Sequence, residues 1–236
     1  MRRSTTSHPV NRRPAMHDDT VGIVLAGGRS TRLGDRAPGP AGKAAVIVGG
    51  ETCLARVCRA VGAVVPRVVV VAAAGQPVPE LPGTVEIVRD ANAAAGPLAG
   101  LRDGLRHVGA GPTPPRWAVV TSCDVPLLRA DVVRRLVDLA RSTARRFVVP
   151  IIDSHPQVLV SVMACDLSAL VESMVLQGRG LRAVLEALVA DEPDSVQLVT
   201  AAELADIDPG LDSFLDIDLP ADLARLESRG IPASRP

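Results

Sequence analysis

The sequence predicts an α/β fold, doubly wound around a mostly parallel sheet and Rossmann-like in its layering. Three observations predict it. From residue 20 onward, short apolar runs alternate with segments of helical period. Most of the runs are apolar throughout rather than at every second position, which marks strands buried on both faces. The chain has 236 residues, 47% of them hydrophobic and 22% charged, enough to cover both faces of a sheet with helices.

Taken in order, the predicted strands are 21–27, 67–74, 84–88, 117–124, 146–152, 158–164, 196–199 and 213–217. Between them lie apolar faces at helical spacing. Leu54, Val57, Cys58 and Val61 form the first, and Leu98, Leu101, Leu105 and Val108 the second. Val132, Val133, Leu136 and Leu139 follow, then Leu167, Leu170, Val171 and Met174. Leu181, Val184, Leu185 and Leu188 make the next face, and Leu223 and Leu226 end the series. With two Phe, one Trp and no Tyr, the core must be built from Val, Leu, Ala and Ile. No internal repeat or interdomain linker is evident, so residues 19–236 read as a single domain. Residues 1–18, charged and without an apolar run, read as a disordered tail and not as a secretory signal.

The charge balance excludes several function classes. Basic and acidic residues number 26 each, so no bulk field favours nucleic acid or an anionic membrane. No apolar stretch reaches the roughly 20 residues of a membrane span. Cys53, Cys58, Cys123 and Cys165 form no C-x-x-C pair and have no His at zinc-ligand spacing. They read as reduced structural thiols of a cytoplasmic protein. The expected partner is a small molecule, and the chain is taken as a monomer.

In doubly wound sheets ligands bind at the carboxyl ends of the strands, so the first loop is the place to look. It reads Gly27-Gly28-Arg29-Ser30-Thr31-Arg32-Leu33-Gly34. Glycines admit backbone N–H groups to an anion, while Arg29 and Arg32 donate to phosphate oxygens. The spacing fits neither the dinucleotide fingerprint G-x-G-x-x-G nor the Walker A loop, because Ala37 and Ala44 stand where the latter needs Gly and Ser or Thr. Of the 26 basic residues 25 are Arg, and the sole Lys is Lys43, just beyond this loop. Asp124 ends an apolar strand, where a hard carboxylate suits Mg²⁺ bridging triphosphate oxygens. Asp218 and Asp216 are alternatives for a second ligand, and Asp218 reads equally as a helix cap. His107 stands near a helix end with no acidic partner in view, and His155 in a loop; neither reads as catalytic.

The stretch resembles L-x-G-G-x-S-x-R-x-G followed by Lys, the loop of nucleotidyltransferases with the sugar-nucleotide pyrophosphorylase type of fold. Within that group it is most similar to the molybdenum cofactor guanylyltransferases, which join GMP to molybdopterin. "VRDANAAAGPLAGL" (88–101), "SCDVPLL" (122–128), "GRGLRAVLEAL" (178–188) and "FLDIDLPADL" (214–223) resemble further motifs in the family's order. The resemblance implies GTP and molybdopterin as substrates and Mg²⁺ as cofactor. It places Leu25, Ala26, Gly27, Gly28, Arg29, Lys43, Asp90 and Asp124 at the nucleotide, with Lys43, Arg32 and Asp124 catalytic. Family members usually have Asp before the Lys; here Gly42 precedes Lys43, and Arg36 is the competing candidate for the Lys position. The family often carries Asn after the second strand, where this chain has Ala72 to Ala74. A cytidylyltransferase, or a catalytically weak nucleotide-binding relative, remains the alternative. No Ser–His or Cys–His nucleophile is present, and none is needed, since a phosphomonoester already carries its attacking oxyanion.

Overall fold

The computed structural model describes residues 17–27, 39–83, 85–90 and 96–234. Its main sheet has the order β10-β7-β9-β6-β1-β4-β5. The strands are β1 (Thr20–Leu25), β4 (Arg67–Ala73), β5 (Glu86–Asp90), β6 (Trp117–Ser122), β7 (Phe147–Ile152), β9 (Val160–Ala164) and β10 (Val196–Thr200), and β8 (His155–Pro156) folds back on β7. β1 is central, parallel to β4 and to β6, and β5 continues the parallel half. β9 runs antiparallel to both β6 and β7, while β10 is parallel to β7. The fold class is as predicted: mixed α/β on a mostly parallel sheet.

The strands are apolar on both faces because helices cover both. Val24, Val70 and Val119 point into one core with α1 (Cys53–Gly62) and α3 (Ala130–Thr143). Ile23, Leu25, Val69, Val71, Ala118 and Val120 point into the other with α2 (Pro97–Gly109), α4 (Ser168–Leu176) and α5 (Leu181–Asp191). Helix α2 approaches the sheet closely. A Cβ on Gly104 would lie 2.9 Å from Ile23 Cγ2, and one on Gly100 would meet Leu25 and Val71.

A second sheet escaped the sequence reading. β2 (Ile47–Val48), β3 (Glu51–Thr52) and β11 (Ala233–Ser234) form an antiparallel trio. Gly49 and Gly50 turn the β2–β3 hairpin, both with positive φ, the conformation a two-residue hairpin turn requires. This sheet and α7 (Pro220–Ser228) enclose a small third core of Val46, Val48, Cys53, Ile217, Leu223 and Leu226.

The strand predicted at 213–217 is not formed. A short α6 (Ala201–Leu204) precedes that region, and Asp212–Phe214 make a 3-10 turn entered through left-handed Leu211. The buried Asp208 carboxylate accepts from the N–H groups of Asp212 (3.2 Å) and Ser213 (2.9 Å), so a turn takes the donors a strand would need. The tail predicted over 1–18 lies outside the described residues up to residue 16. His17 is docked, its N–H donating to Val64 O at 3.3 Å. Among the described residues no helix is long and apolar enough to cross a membrane.

At the amino end of β4 the structure corrects one expectation. His107 does have an acidic partner: its Nε2 lies 2.8 Å from Glu86 Oε2, contributed by β5. Arg67 donates to both oxygens of the same carboxylate, at 2.6 and 2.9 Å. Those bonds, Arg67's above all, hold the Glu86 pKa down at about 2. A depressed carboxylate stabilises the fold above its unfolded pKa near 4.5, and the contribution disappears as pH falls toward 2. Thermal unfolding of Glu86→Gln should therefore trail wild type above pH 5 and converge with it near pH 2. Partial exposure limits the gap to about 1 kcal/mol or less. An unchanged gap across that range would show that the ion pair contributes nothing.

Candidate active site

The carboxyl ends of β1, β4, β5 and β6 lie side by side, and three chain segments converge there. The first follows β6. Cys123 N–H donates to Leu25 O at 3.0 Å, carrying the β1–β6 pairing one residue past the strand and delivering Asp124 at the sheet's edge. Ile217 N–H donates to Asp124 O at 2.9 Å, so the late segment fixes the Asp124 backbone.

Lys43 enters from the second segment. It lies in the 3-10 stretch Gly39–Ala45, which kinks at Gly42 with φ 61° and ψ −152°. That region is essentially open to glycine alone. Gly42 therefore stands before Lys43, where the resemblance leads one to expect Asp, because this backbone path needs it. Ala44, Ala45 and Val46 are buried behind Lys43, and Val46 N–H donates to Lys43 O at 3.1 Å.

The third segment is anchored by Ile217, which is fully buried. Beyond it, the Asp222 carboxylate accepts from the N–H groups of Asp218 (2.9 Å) and Leu219 (2.7 Å), capping α7. Asp218 is thus not the cap that the sequence also allowed, and its carboxylate turns to Lys43. The Lys43 ammonium bridges Asp124 Oδ2 at 2.9 Å and Asp218 Oδ1. The three side chains are only 16, 19 and 31% exposed for Lys43, Asp124 and Asp218 respectively. Burial pulls the Lys43 pKa down, but Asp124 and Asp218 more than reverse this and hold the ammonium above its ordinary range. Asp216 has its pKa raised, first by partial loss of solvent and then by the Asp218 and Asp124 charges. Among the described residues the ammonium thus lies between two carboxylates, and Asp216 is close enough to feel the charge of both.

Such a hard, anionic oxygen set fits a divalent cation of the Mg²⁺ type. Mg²⁺ typically takes one or two protein carboxylates and completes its shell with water and substrate phosphates. Among the described residues no group of three or more His, Cys, Asp or Glu side chains is placed to hold a metal ion by itself.

The remaining predicted positions surround this cluster. Leu25 and Ala26 are buried at the end of β1, and Gly27 is exposed just beyond. Asp90 is 5% exposed at the end of β5, opposite Ala73 in the ladder, with Gly100 of α2 packed against it. Gly28, Arg29 and Arg32, and with them Arg36, lie outside the described residues. Beside Asp216 opens a cavity of about 360 Å³, lined among others by Ile152, His155, Phe214, Leu215 and Arg225. His155 sits at its rim, with Nδ1 2.6 Å from Asp153 O. Cys53 and Cys123 are buried near the cluster. Burial first, then Asp124, pushes the Cys53 thiol up to about 12 and that of Cys123 well above its usual range, so neither is a thiolate nucleophile.

Residues 22–193 match the family model described as a MobA-like NTP transferase domain. The chain belongs to this family. A protein from Mycolicibacterium paratuberculosis called a probable molybdenum cofactor guanylyltransferase is 36% identical over 197 residues, covering 79% of this chain and 92% of that one. Among solved structures, the molybdopterin-guanine dinucleotide biosynthesis protein A of Archaeoglobus fulgidus superposes with a TM-score of 0.68 at 24% identity, over 89% of this chain and 98% of its own. A Mycobacterium tuberculosis protein solved as a complex with manganese shares the fold at a TM-score of 0.57 and 19% identity, over 89% of this chain and 97% of its own. The chain is accordingly a nucleotidyltransferase of the molybdenum cofactor guanylyltransferase type.

Against this MobA-like frame, the sequence reading missed Gln76. It is 9% exposed, and its side chain bonds only to backbone: Ala73 N, Ala26 O and Ala41 O. A polar residue after an apolar run and before Pro77 resembles any turn residue, so nothing in the pattern marked it. For Gly42 the structure makes a sharp demand. Gly42→Ala should cost about 1–3 kcal/mol in denaturant unfolding, the strain of a side chain in this region. A variant of unchanged stability would mean that the kink relaxes freely and that Lys43 is not held by it.

Proposed function

We propose that the protein transfers GMP from GTP to the terminal phosphate of molybdopterin and releases pyrophosphate, in the cytoplasm and with Mg²⁺ as cofactor. The observation that carries this reading is the Lys43 ammonium held between the carboxylates of Asp124 and Asp218 at the carboxyl edge of the sheet. The curated relatives' names support the choice of substrates, and the cavity of about 360 Å³ beside Asp216 leaves room for an acceptor next to the carboxylates.

The chemistry needs little beyond alignment and charge. A phosphate oxygen of the acceptor forms the new bond to the α-phosphorus of GTP, and the bond from that phosphorus to the bridging oxygen breaks. The electron pair leaves on pyrophosphate. Lys43 exchanges its carboxylate partners for phosphate oxygens and follows the charge that moves toward the leaving group. A compact ammonium on a flexible stem suits this better than a planar guanidinium. Asp124 and Asp218, released from Lys43, are the residues that would hold Mg²⁺, with Asp216 beside them. When bound, the cation neutralises the triphosphate and orients it for in-line attack. Gly27 and Gly28, with Arg29 and Arg32, cradle the phosphates, while Leu25, Ala26 and Asp90 contact the base and ribose.

Three measurements test the reading. Lys43→Ala should lower the maximal rate about a hundredfold or more while weakening NTP binding far less. Lys43→Arg should rescue poorly, and Arg36→Ala should remain near wild type; the reverse pattern would hand the catalytic role to Arg36. Asp124→Ala should abolish Mg²⁺-dependent turnover at an unchanged melting temperature; near wild-type activity would remove it from the metal site. GTP with Mg²⁺ should raise the melting temperature more than CTP, ATP or UTP. A larger shift with CTP would replace guanylyl by cytidylyl transfer.

A further inference from the structure

We infer that Gln76 is the positioning residue of the nucleotide loop, a clamp that fixes where the loop after β1 begins and ends. The inference rests on the nucleotide-binding role proposed for that loop. The two hydrogens of the Gln76 amide go to two carbonyls fifteen positions apart in the chain. Nε2 donates to Ala26 O at 2.9 Å, just before the loop, and to Ala41 O at 3.1 Å, just after it. The side-chain oxygen accepts from Ala73 N–H at 3.1 Å. That third bond fixes the orientation of the amide, because a flipped amide would oppose two hydrogens to an N–H and an oxygen to two carbonyls.

The clamp is itself rigid. Gln76 N–H donates to Ala73 O at 3.1 Å, closing a tight turn behind β4 that passes through Gly75 at a φ of 74°. From β5, Arg89 Nη1 donates to Gln76 O at 2.6 Å and to Ala73 O at 3.3 Å. On the loop side, Ala26 N–H donates to Val71 O at 2.8 Å, so Ala26 is tied to β4 through its N–H and to the turn behind β4 through its carbonyl. Ala41 immediately precedes Gly42 and Lys43. The bond to Ala41 O therefore sets the height at which the chain enters the Gly42 kink and delivers the ammonium to Asp124 and Asp218.

Both hydrogens of the amide and one lone pair of its oxygen are thus spent on backbone, which makes Gln76 part of the scaffold beneath the loop. The turn after β4 ends in a residue that holds the nucleotide loop.

The test separates a clamp from mere packing. Gln76→Met keeps the volume and removes all three bonds; Gln76→Glu keeps the acceptor for Ala73 N–H but sets oxygen against two carbonyls. Both should raise the Kd and KM for GTP at least tenfold with kcat changed less, measured by calorimetry and steady-state rates well below the variants' melting temperatures. Trypsin cleavage after Arg29, Arg32 or Arg36, followed by mass spectrometry under the same conditions, should accelerate at least fivefold. A melting temperature lowered in both variants with Kd, KM and cleavage unchanged would overturn the inference and leave Gln76 a structural residue. Should wild type bind no NTP, the guanylyl reading fails, and the trypsin rates alone still decide whether the clamp exists.

Discussion

The site depends on one ammonium shared by two carboxylates that are 81 and 175 residues away from it in the chain. Bringing Asp124 and Asp218 toward each other is unfavourable unless a cation lies between them, so the Lys43 contact is a condition of the geometry and not an ornament on it. Everything nearby serves that convergence. The β1–β6 ladder carries Asp124 to the edge, the small second sheet and α7 hold Ile217 and hence Asp218, and the Gly42 kink aims Lys43. Because the desolvated ammonium makes hydrogen bonds to both carboxylates, it keeps its charge in spite of burial.

Most of the architecture was legible because burial on two faces leaves a strong trace. Runs such as "RVVVVAAA" have no solvated side, and the helices between them repeat at the period of a buried face. The direction of β9 left no such trace: a strand covered on both faces is apolar whichever way it runs. The β2–β3 hairpin was announced only by Gly49-Gly50, since two-residue strands are too short to show a period. Residues 213–217 misled because Phe214, Leu215 and Ile217 imitate a strand, while the deciding interaction comes from Asp208. Spacing cannot reveal that a buried carboxylate is bonded to the N–H groups of two residues further on.

The site divides along a similar line. Asp124 was legible as a strand-end carboxylate, and Lys43 by its isolation among arginines. Asp218 stood open between ligand and helix cap, and only the position of Asp222, whose carboxylate takes the capping role, resolves it. Gln76 and the Glu86 partner of His107 were invisible for one reason: each acts across strands, and a pattern read along the chain does not register its neighbours in space.

The scarcity of lysine here acquires a physical meaning from the charge count of the cluster. Among the described residues, Lys43 is the one cation held between Asp124 and Asp218, so a triphosphate that takes up the ammonium leaves those two carboxylates facing each other. In the reaction proposed above, Lys43 leaves Asp124 and Asp218 for the phosphates, and a cation arriving with the substrate would take its place between the carboxylates. An arginine bonded bidentately to a carboxylate is held by a planar fork and surrenders two parallel hydrogen bonds at once. Lysine turns its three hydrogens about a flexible stem and can pass from carboxylate to phosphate one bond at a time. On the proposed reaction, a chain that uses arginine at all 25 of its other basic positions keeps lysine where the cation would change partners.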